Sequence, residues 1–433
     1  MPIPKCPDAP ALTGSDSNNI ELTVHLVTPM FGGGVVAREV DETHPIRETS
    51  IRGQLQFWWR ATAGAKYANS KELYNPHSDI WGNTKIASKV TVIVSNVIMG
   101  PKKSCAKFIW DQNANKGKGG WKLDWQPPFN SKNSALPYAL FPFQGKMPQP
   151  DKNASPDVPP ASFLKGNFKL TIKCPNSLID SVKIAVIAWI NFGGLGSRTR
   201  RGCGSLFSND YSFKDVSSAK AWIDKHGTNN IRDWPTLPKT IYTHQNTETI
   251  NSWNKSIKLL KDFRQLPGFA RQPIGSEGRP GRSYFPEPDT IRKFIAGNYQ
   301  KHSPEESMPK GFPRAEFGLP IIFHFRPGAG DPVDTTLVPN INNAERFASP
   351  LILKAIACSE TQGFPSIILL NGERVQSCRL MLNDNPVPNS EREPIQSPSF
   401  KTIYPSPMHP MHGHESAIDA FLAYAQKEGY LPN

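Results

Sequence analysis

Residues Gly193 to Leu206 read GGLGSRTRRGCGSL and follow directly on an apolar run, Val182 to Phe192. Five glycines surround Arg198, Arg200 and Arg201. Glycine lets a backbone take positive φ and approach a ligand closely. Arginine supplies a permanent charge on a planar fork that suits phosphate. The segment therefore reads as a buried helix that opens into a basic loop, the pattern of a nucleic-acid clamp. A plainer reading stands beside it: glycines often only end a helix, and solvated arginines are common. Nucleotide motifs fit badly. The loop lacks the Gly-Lys-Ser/Thr ending of a phosphate loop, and it follows a helix where a dinucleotide fingerprint follows a strand. Neither ATP nor NAD is implied.

Working outward, Ile20 to Val27 alternates as a strand does, and TPMFGGGV (Thr28–Val35) breaks it with Gly32, Gly33 and Gly34. Ser50 is placed to cap a helix through Tyr67. Lys89–Val97 and Phe168–Cys174 read as strands, Leu178–Phe192 as a second helix and Ser205–Phe207 as the start of a last strand. The order β-α-β-β-α-β is ferredoxin-like. Residues 100–162, rich in lysine, glycine and proline, read as an insertion with little regular structure; their lysines either track a phosphate backbone or are simply solvated. Residues 1–18 read as a disordered lead. The expected fold class is α+β: two ferredoxin-like (RRM-like) domains packed together, 19–215 and 216–433. In the second, Asn246–Phe263 and Glu415–Lys427 read as helices, and Gly318–Phe325, Ala348–Cys358 and Ser366–Leu370 as strands. Gly268–Pro288 is a second Gly/Arg/Pro loop.

The chain has 433 residues and a net charge of +13. Residues 1–210 carry +10 of it and the remainder +3. That asymmetry favours a polyanionic partner met by the N-terminal half. Cys6, Cys105, Cys174, Cys203, Cys358 and Cys378 form no Cys-x-x-Cys pair, so neither a zinc knuckle nor a disulfide framework is indicated, and reduced thiols in a cytoplasm fit. No signal-peptide core or membrane-length apolar run is present. A cytoplasmic protein without a membrane or cofactor is the expectation.

In the first helix, Ile51, Leu55, Trp58, Trp59 and Thr62 share one side at helical spacing, and Arg52, Gln56 and Arg60 share another. The apolar side is placed for a core and the polar stripe for the preceding glycine loop. Trp58 fits the core; Trp59 is either buried or stacked on a base. Arg38, Arg47, Arg52, Arg60 and the loop arginines, interleaved with Phe31, Phe57, Trp58 and Trp59, would furnish the cations and π-faces that single-stranded RNA requires.

TPMFGGG, then PIRETSIRGQLQFWWR (Pro45–Arg60), then the glycine-arginine loop, resembles the RAMP subunit at the head of the type III-B CRISPR effector, the Cmr complex. RFASPLILK (Arg346–Lys354) is similar to a later signature of that subunit. Gln56 departs from the pattern, which has a basic residue there. The resemblance implies two ferredoxin-like domains, no metal or cofactor, and no catalytic residue, since target cleavage is assigned to the repeated backbone subunits. It implies partners: the 3′ region of the guide CRISPR RNA, target single-stranded RNA, and other RAMP subunits. It places RNA contacts at Gly32, Gly33 and Gly34, at Arg52, Trp58 and Trp59, and at the loop of Gly194, Gly196, Arg198, Arg200 and Arg201, to which the charge pattern adds Arg38, Arg47 and Arg60. Replacing the three loop arginines by alanine is then expected to weaken RNA capture with little change in stability.

Other functions remain open at this level. A metal-independent endoribonuclease of the same superfamily needs a general acid or base, and His25 and His44, with Asp41, are the residues near the glycine loops. HPMHGHE (His409–Glu415) groups His409, His412 and His414, but not at a known zinc spacing, and reads as an exposed loop. A pure assembly protein would use the basic surface to bind acidic neighbours.

Overall fold

The computed structural model describes residues 17–130, 133–149, 151–275, 281–295, 303–304, 310–325, 330–341, 344–382, 385–387, 395–396 and 409–433. Nearly all of the lead expected at 1–18 lies outside the described residues. The α+β expectation is met by a mixed architecture of helices and antiparallel sheets.

β1 (Ser17–Leu26) pairs antiparallel with β8 (Gly166–Pro175) along all ten residues. Its alternation sets the face: Ile20, Leu22, Val24 and Leu26 are buried, as are Phe168, Leu170 and Ile172 across from them. β3 (Thr91–Met99) lies outside β8 and β9 (Leu206–Phe207) outside β1. In chain order the four strands stand 2-3-1-4, as a β-α-β-β-α-β chain arranges them. α1 (Glu48–Ala61) and α5 (Ile179–Phe192) pack on this sheet and on each other. α5 is apolar around most of its circumference, with Asp180 and Lys183 exposed, and such a helix must be covered on more than one side. The sheet covers one side; Ile352 and Ile356 of the second unit join the same core from another.

Two details of α1 differ from expectation. It begins at Glu48, so Ser50 lies inside the first turn; Arg47 holds the N-cap position with extended backbone and no side chain caps the helix. A second helix, α2 (Ser70–Trp81), follows at once, capped by Asn69, whose side chain accepts the Glu72 N–H.

The stretch 100–162 is built, not irregular. β2 (Met30–Phe31), β7 (Ala161–Phe163) and β4 (Lys102–Ser104) form a three-stranded sheet, and β5 (Ala106–Asp111) and β6 (Gly120–Trp125) a hairpin. Two short helices, α3 (Ala114–Gly117) and α4 (Leu136–Leu140), complete it. The reason is burial at long range. Phe129, Leu136, Leu140 and Phe143 join Phe31 and Cys105 in a core shared with the second unit.

That unit repeats the connectivity. β10 (Tyr242–Thr243) and β11 (Thr247–Glu248) run in succession along one side of β15 (Gln362–Leu369). β14 (Leu351–Ala357) lies on its other side and β19 (Leu431–Pro432) beyond β10. With α7 (Thr249–Gln265) and α9 (Ala417–Lys427), and β10–β11 taken as one strand, the order is again β-α-β-β-α-β with strands at 2-3-1-4. Between these elements, α8 (Glu287–Phe294) and β12 (Ile321–Phe323), β13 (Thr335–Pro339), β16 (Ser377–Leu382), β17 (Asn385–Pro386) and β18 (Ile395–Gln396) form a smaller unit with its own core around Ile291, Leu337 and Leu380.

β14 is buried on both faces. Leu351, Leu353 and Ala355 face the core of α7 and α9, while Ile352 and Ile356 face the core of the first unit. α6 (Val216–His226), with Ala219 and Ile223, and then Trp234, Leu237 and Ile241, also packs into the first core. The seam between the units is therefore bridged well beyond residue 215. Among the described residues, no helix is long and apolar enough to cross a membrane.

Candidate nucleic-acid interface

The two glycine loops meet. The Ser197 N–H donates to the Phe31 carbonyl at 2.6 Å, joining Gly194–Ser197 to the end of β2. Gly196 has φ +76°, and a Cβ there would stand 2.5 Å from the Phe31 oxygen. Gly33, at φ +96°, faces the Gly196 Cα. Both positions favour glycine by their left-handed backbone, and at Gly196 the approach is also too close for a side chain. Gly32 is buried beside them, while Gly34 donates its N–H to the Glu39 carbonyl at 2.9 Å and closes the loop on itself.

Gly32, Gly33, Gly194 and Gly196 wall a cavity of about 250 Å³, completed by Pro45, Arg47 and the first turns of α1 at Thr49, Ser50, Gly53 and Gln54. The Ile51 N–H is the first of α1 to bond back, to the Arg47 carbonyl. Among the described residues nothing accepts from the Glu48, Thr49 and Ser50 amides. Unfilled amides at a helix start carry partial positive charge and bind anions. Arg47 sits at the rim, 2.9 Å from Asp41. The His44 and Thr43 backbone amides and Arg47 hold the Asp41 carboxyl below its usual pKa.

The loop arginines divide. Arg201 donates to the Leu351 carbonyl (2.7 Å), the Ser349 hydroxyl (3.1 Å) and the Arg200 carbonyl (3.0 Å). Arg200 donates to the Ser349 carbonyl and lies over the Phe57 ring. Both are docked on the strip Ser349–Leu351, inside the segment Arg346–Lys354. Two motifs read separately in the sequence thus form one contact. From that strip, Lys354 is buried in β14 and donates to the Gly193 carbonyl at 2.7 Å. Burial pulls its pKa down to about 7. Burial also lowers the pKa of Arg201, Arg200 and Arg198, though an arginine stays charged at neutral pH. Arg198 differs from its neighbours: it has left-handed backbone, its guanidinium stacks on the Phe141 ring at 5.4 Å, and its Nε has no hydrogen-bond partner among the described residues.

The α1 stripe does not face the glycine loop. Arg52 donates to the Trp81 carbonyl, and Arg60 lies 3.0 Å from the His77 ring. Both turn to α2, which the sequence reading had not placed. Burial, then Arg60 and Arg52, pushes the His77 pKa down to about 4, so the ring is neutral and accepts from Arg60. Trp58 and Trp59 are 2% and 3% exposed. Neither indole offers a face to a base, because both sit on the inner side of α1 against α5 and α2.

The exposed aromatic near this site is one the sequence reading passed over. Phe141, just after α4, is 58% exposed. Arg38 reaches the adjacent Pro142 carbonyl at 3.4 Å, and Arg38 and Lys146 line an open groove. α4 also shows why: its Leu136, Ala139 and Leu140 are buried, which leaves the next ring to the surface.

The candidate acid–base residues stand apart. His25 Nδ1 lies 3.4 Å from Glu360, across the seam. His44 is exposed and does not line the cavity. His409, expected in an exposed loop, is buried: its Nε2 meets the Tyr284 carbonyl at 2.9 Å and its Nδ1 accepts the Met411 N–H. Both ring nitrogens are occupied, and no group of metal-ligating side chains occurs among the described residues.

The RAMP superfamily model matches residues 23–207, from the middle of β1 to the end of β9. The matched residues are those of the first unit. A curated relative, CRISPR system Cmr subunit Cmr1-1 of Pyrococcus furiosus, is 25% identical over 196 residues, 43% of this chain and 46% of that protein. The chain thus spans less than half the length of that relative. The RAMP match and this relative together show the resemblance to the head subunit of the type III-B Cmr complex. Among solved structures, the crystal structure of Cmr1 from Pyrococcus furiosus in its apo form is 15% identical with a TM-score of 0.39, over 82% of this chain and 88% of that one. A cryo-EM structure of type III-B Cmr-beta bound to cognate target RNA is 15% identical with a TM-score of 0.41, over 81% and 94%.

Proposed function

We propose that this chain is a non-catalytic, cytoplasmic RNA-binding subunit of a type III-B ribonucleoprotein. In that role its two ferredoxin-like units, divided near residue 241, sit by the guide RNA 3′ region, help capture single-stranded target RNA and adjoin other RAMP subunits. The observation that carries the reading is the cavity where two glycine loops open over the uncapped start of α1. Five glycines bring backbone into its wall beside Met30 and Leu195, so it suits a phosphate and is indifferent to the base. That matches a partner whose sequence changes from guide to guide. Arg47 at the rim, held by Asp41, has further guanidinium donors to offer a phosphate.

A salt titration tests this. Single-stranded RNA should bind the purified protein with an affinity that falls by about 0.7 log unit per log unit of salt for each phosphate neutralised. Gly33→Val, which fills the cavity mouth, should weaken that binding at least tenfold, with circular dichroism confirming an intact fold. Binding that ignores salt, or survives Gly33→Val, counts against the cavity. Metal-free, site-specific cleavage abolished by His44→Ala would make the protein a nuclease instead.

A further inference from the structure

The phosphate cavity accounts for the glycine loops and Arg47, but not for the exposed ring of Phe141. Three features converge there. The ring is 58% exposed although buried phenylalanines, Phe143 and Phe129, lie close by in sequence. The Arg198 guanidinium stacks on it at 5.4 Å, and its Nε has no hydrogen-bond partner among the described residues. Arg38, with left-handed backbone, reaches the next residue's carbonyl, and with Lys146 it lines a groove of about 740 Å³. One carboxylate lines that groove too: Asp157, whose oxygen accepts the Lys146 backbone N–H at 2.8 Å. Three cations against one engaged carboxylate leave the patch positive.

Arg198 follows Gly196 by two residues, so this patch continues directly from the glycine cavity. We propose that Phe141 and Arg198 form a stacking station for one unpaired RNA base, with Arg38 and Lys146 taking the flanking phosphates. The station rests on the RNA-binding reading and deepens it: it commits the bound strand to being single-stranded at this point, because a paired base has no free face to offer. An acidic protein segment would also be drawn to these cations. It would not, however, use a flat ring backed by a guanidinium plane as well as a base does.

The test compares Phe141→Ala and Phe141→Trp in the full chain, read by RNA affinity at several salt concentrations and by the fluorescence of 2-aminopurine placed at successive positions of a single-stranded RNA. Stacking on an aromatic side chain contributes about 1–3 kcal/mol per base, so Phe141→Ala should weaken binding roughly 5- to 150-fold. It should leave the salt slope unchanged, while Phe141→Trp restores affinity and quenches one 2-aminopurine position. The exposed ring leaves the fold intact, which a thermal melt checks. If the wild-type chain binds RNA with a steep salt slope and Phe141→Ala binds equally well, the station is refuted and the cavity stands. If the wild-type chain binds no RNA, the RNA-binding reading itself fails. If Phe141→Ala loses a neighbouring Cmr subunit but no RNA affinity, the ring is a protein contact and the inference is overturned.

Discussion

Between Gly194 and Arg198 the glycine-arginine loop faces a cavity and the surface; between Thr199 and Gly204 the same loop is sealed against the second unit. The first half is open because Gly196 and Gly33 bring two backbones together without side chains between them. The second half is closed because Arg200 and Arg201 spend their donors on the carbonyls of Ser349 and Leu351. Trp253 meets it from beneath, its Nε1 donating to the Arg201 carbonyl at 2.6 Å. Neighbouring arginines of one type thus serve different ends: one is free to meet a ligand, two hold the units together. Composition cannot separate them, since a guanidinium suits a carbonyl of its own chain as well as a foreign phosphate.

The comparison breaks most visibly at Arg201. Arg201→Ala leaves the Leu351 carbonyl and Ser349 hydroxyl without their donor in a buried seam. It should cost about 3 kcal/mol of stability in urea unfolding, while RNA affinity of the folded protein stays within about twofold. The simultaneous loss of Arg198, Arg200 and Arg201 should therefore destabilise the protein, contrary to what the sequence alone suggests.

Lys354 sharpens the same contrast by pH. Its folded pKa of about 7 lies below the value near 10.5 of a free lysine. Between those values the unfolded chain holds the extra proton, so the contribution of this residue to stability rises with pH. Relative to Lys354→Met, the wild type should gain about 2 kcal/mol between pH 7 and pH 9, measured by unfolding at each pH. A constant difference would mean that the Gly193 carbonyl keeps the ammonium charged throughout.

The smallest effect is expected at the open end. Arg198→Ala leaves no buried carbonyl without its donor, so it should cost far less stability than Arg201→Ala, yet lower RNA affinity several-fold by removing the backing of the Phe141 ring. An equal loss of stability at Arg198 and Arg201 would erase the distinction between the two halves.

Much of this frame was legible. The alternation of Ile20 to Leu26, the apolar run before Phe192 and the order of glycine loops lead to the first unit because each signal is local. What stayed hidden depends on distant partners. α2 turned the Arg52–Arg60 stripe away from the glycine loop; its one sequence cue is Asn69 three residues before Glu72, a cap pattern. The stretch 100–162 is ordered because Phe129, Leu136 and Phe143 find their cover in the second unit, and no periodicity within the stretch shows that. Trp59 was ambiguous for the same reason, since burial of an indole depends on what packs over it. Phe141 was missed because it is one phenylalanine among buried ones.

The most direct test of the central claim is ultraviolet crosslinking of single-stranded RNA to the full chain, with the attached peptides mapped by mass spectrometry. Crosslinks on the peptides spanning residues 30–54 and 193–198 are predicted, along the cavity between the glycine loops. Crosslinks confined to the smaller sheet, at Ile321–Phe323, Thr335–Pro339 and Ser377–Leu382, would contradict the account.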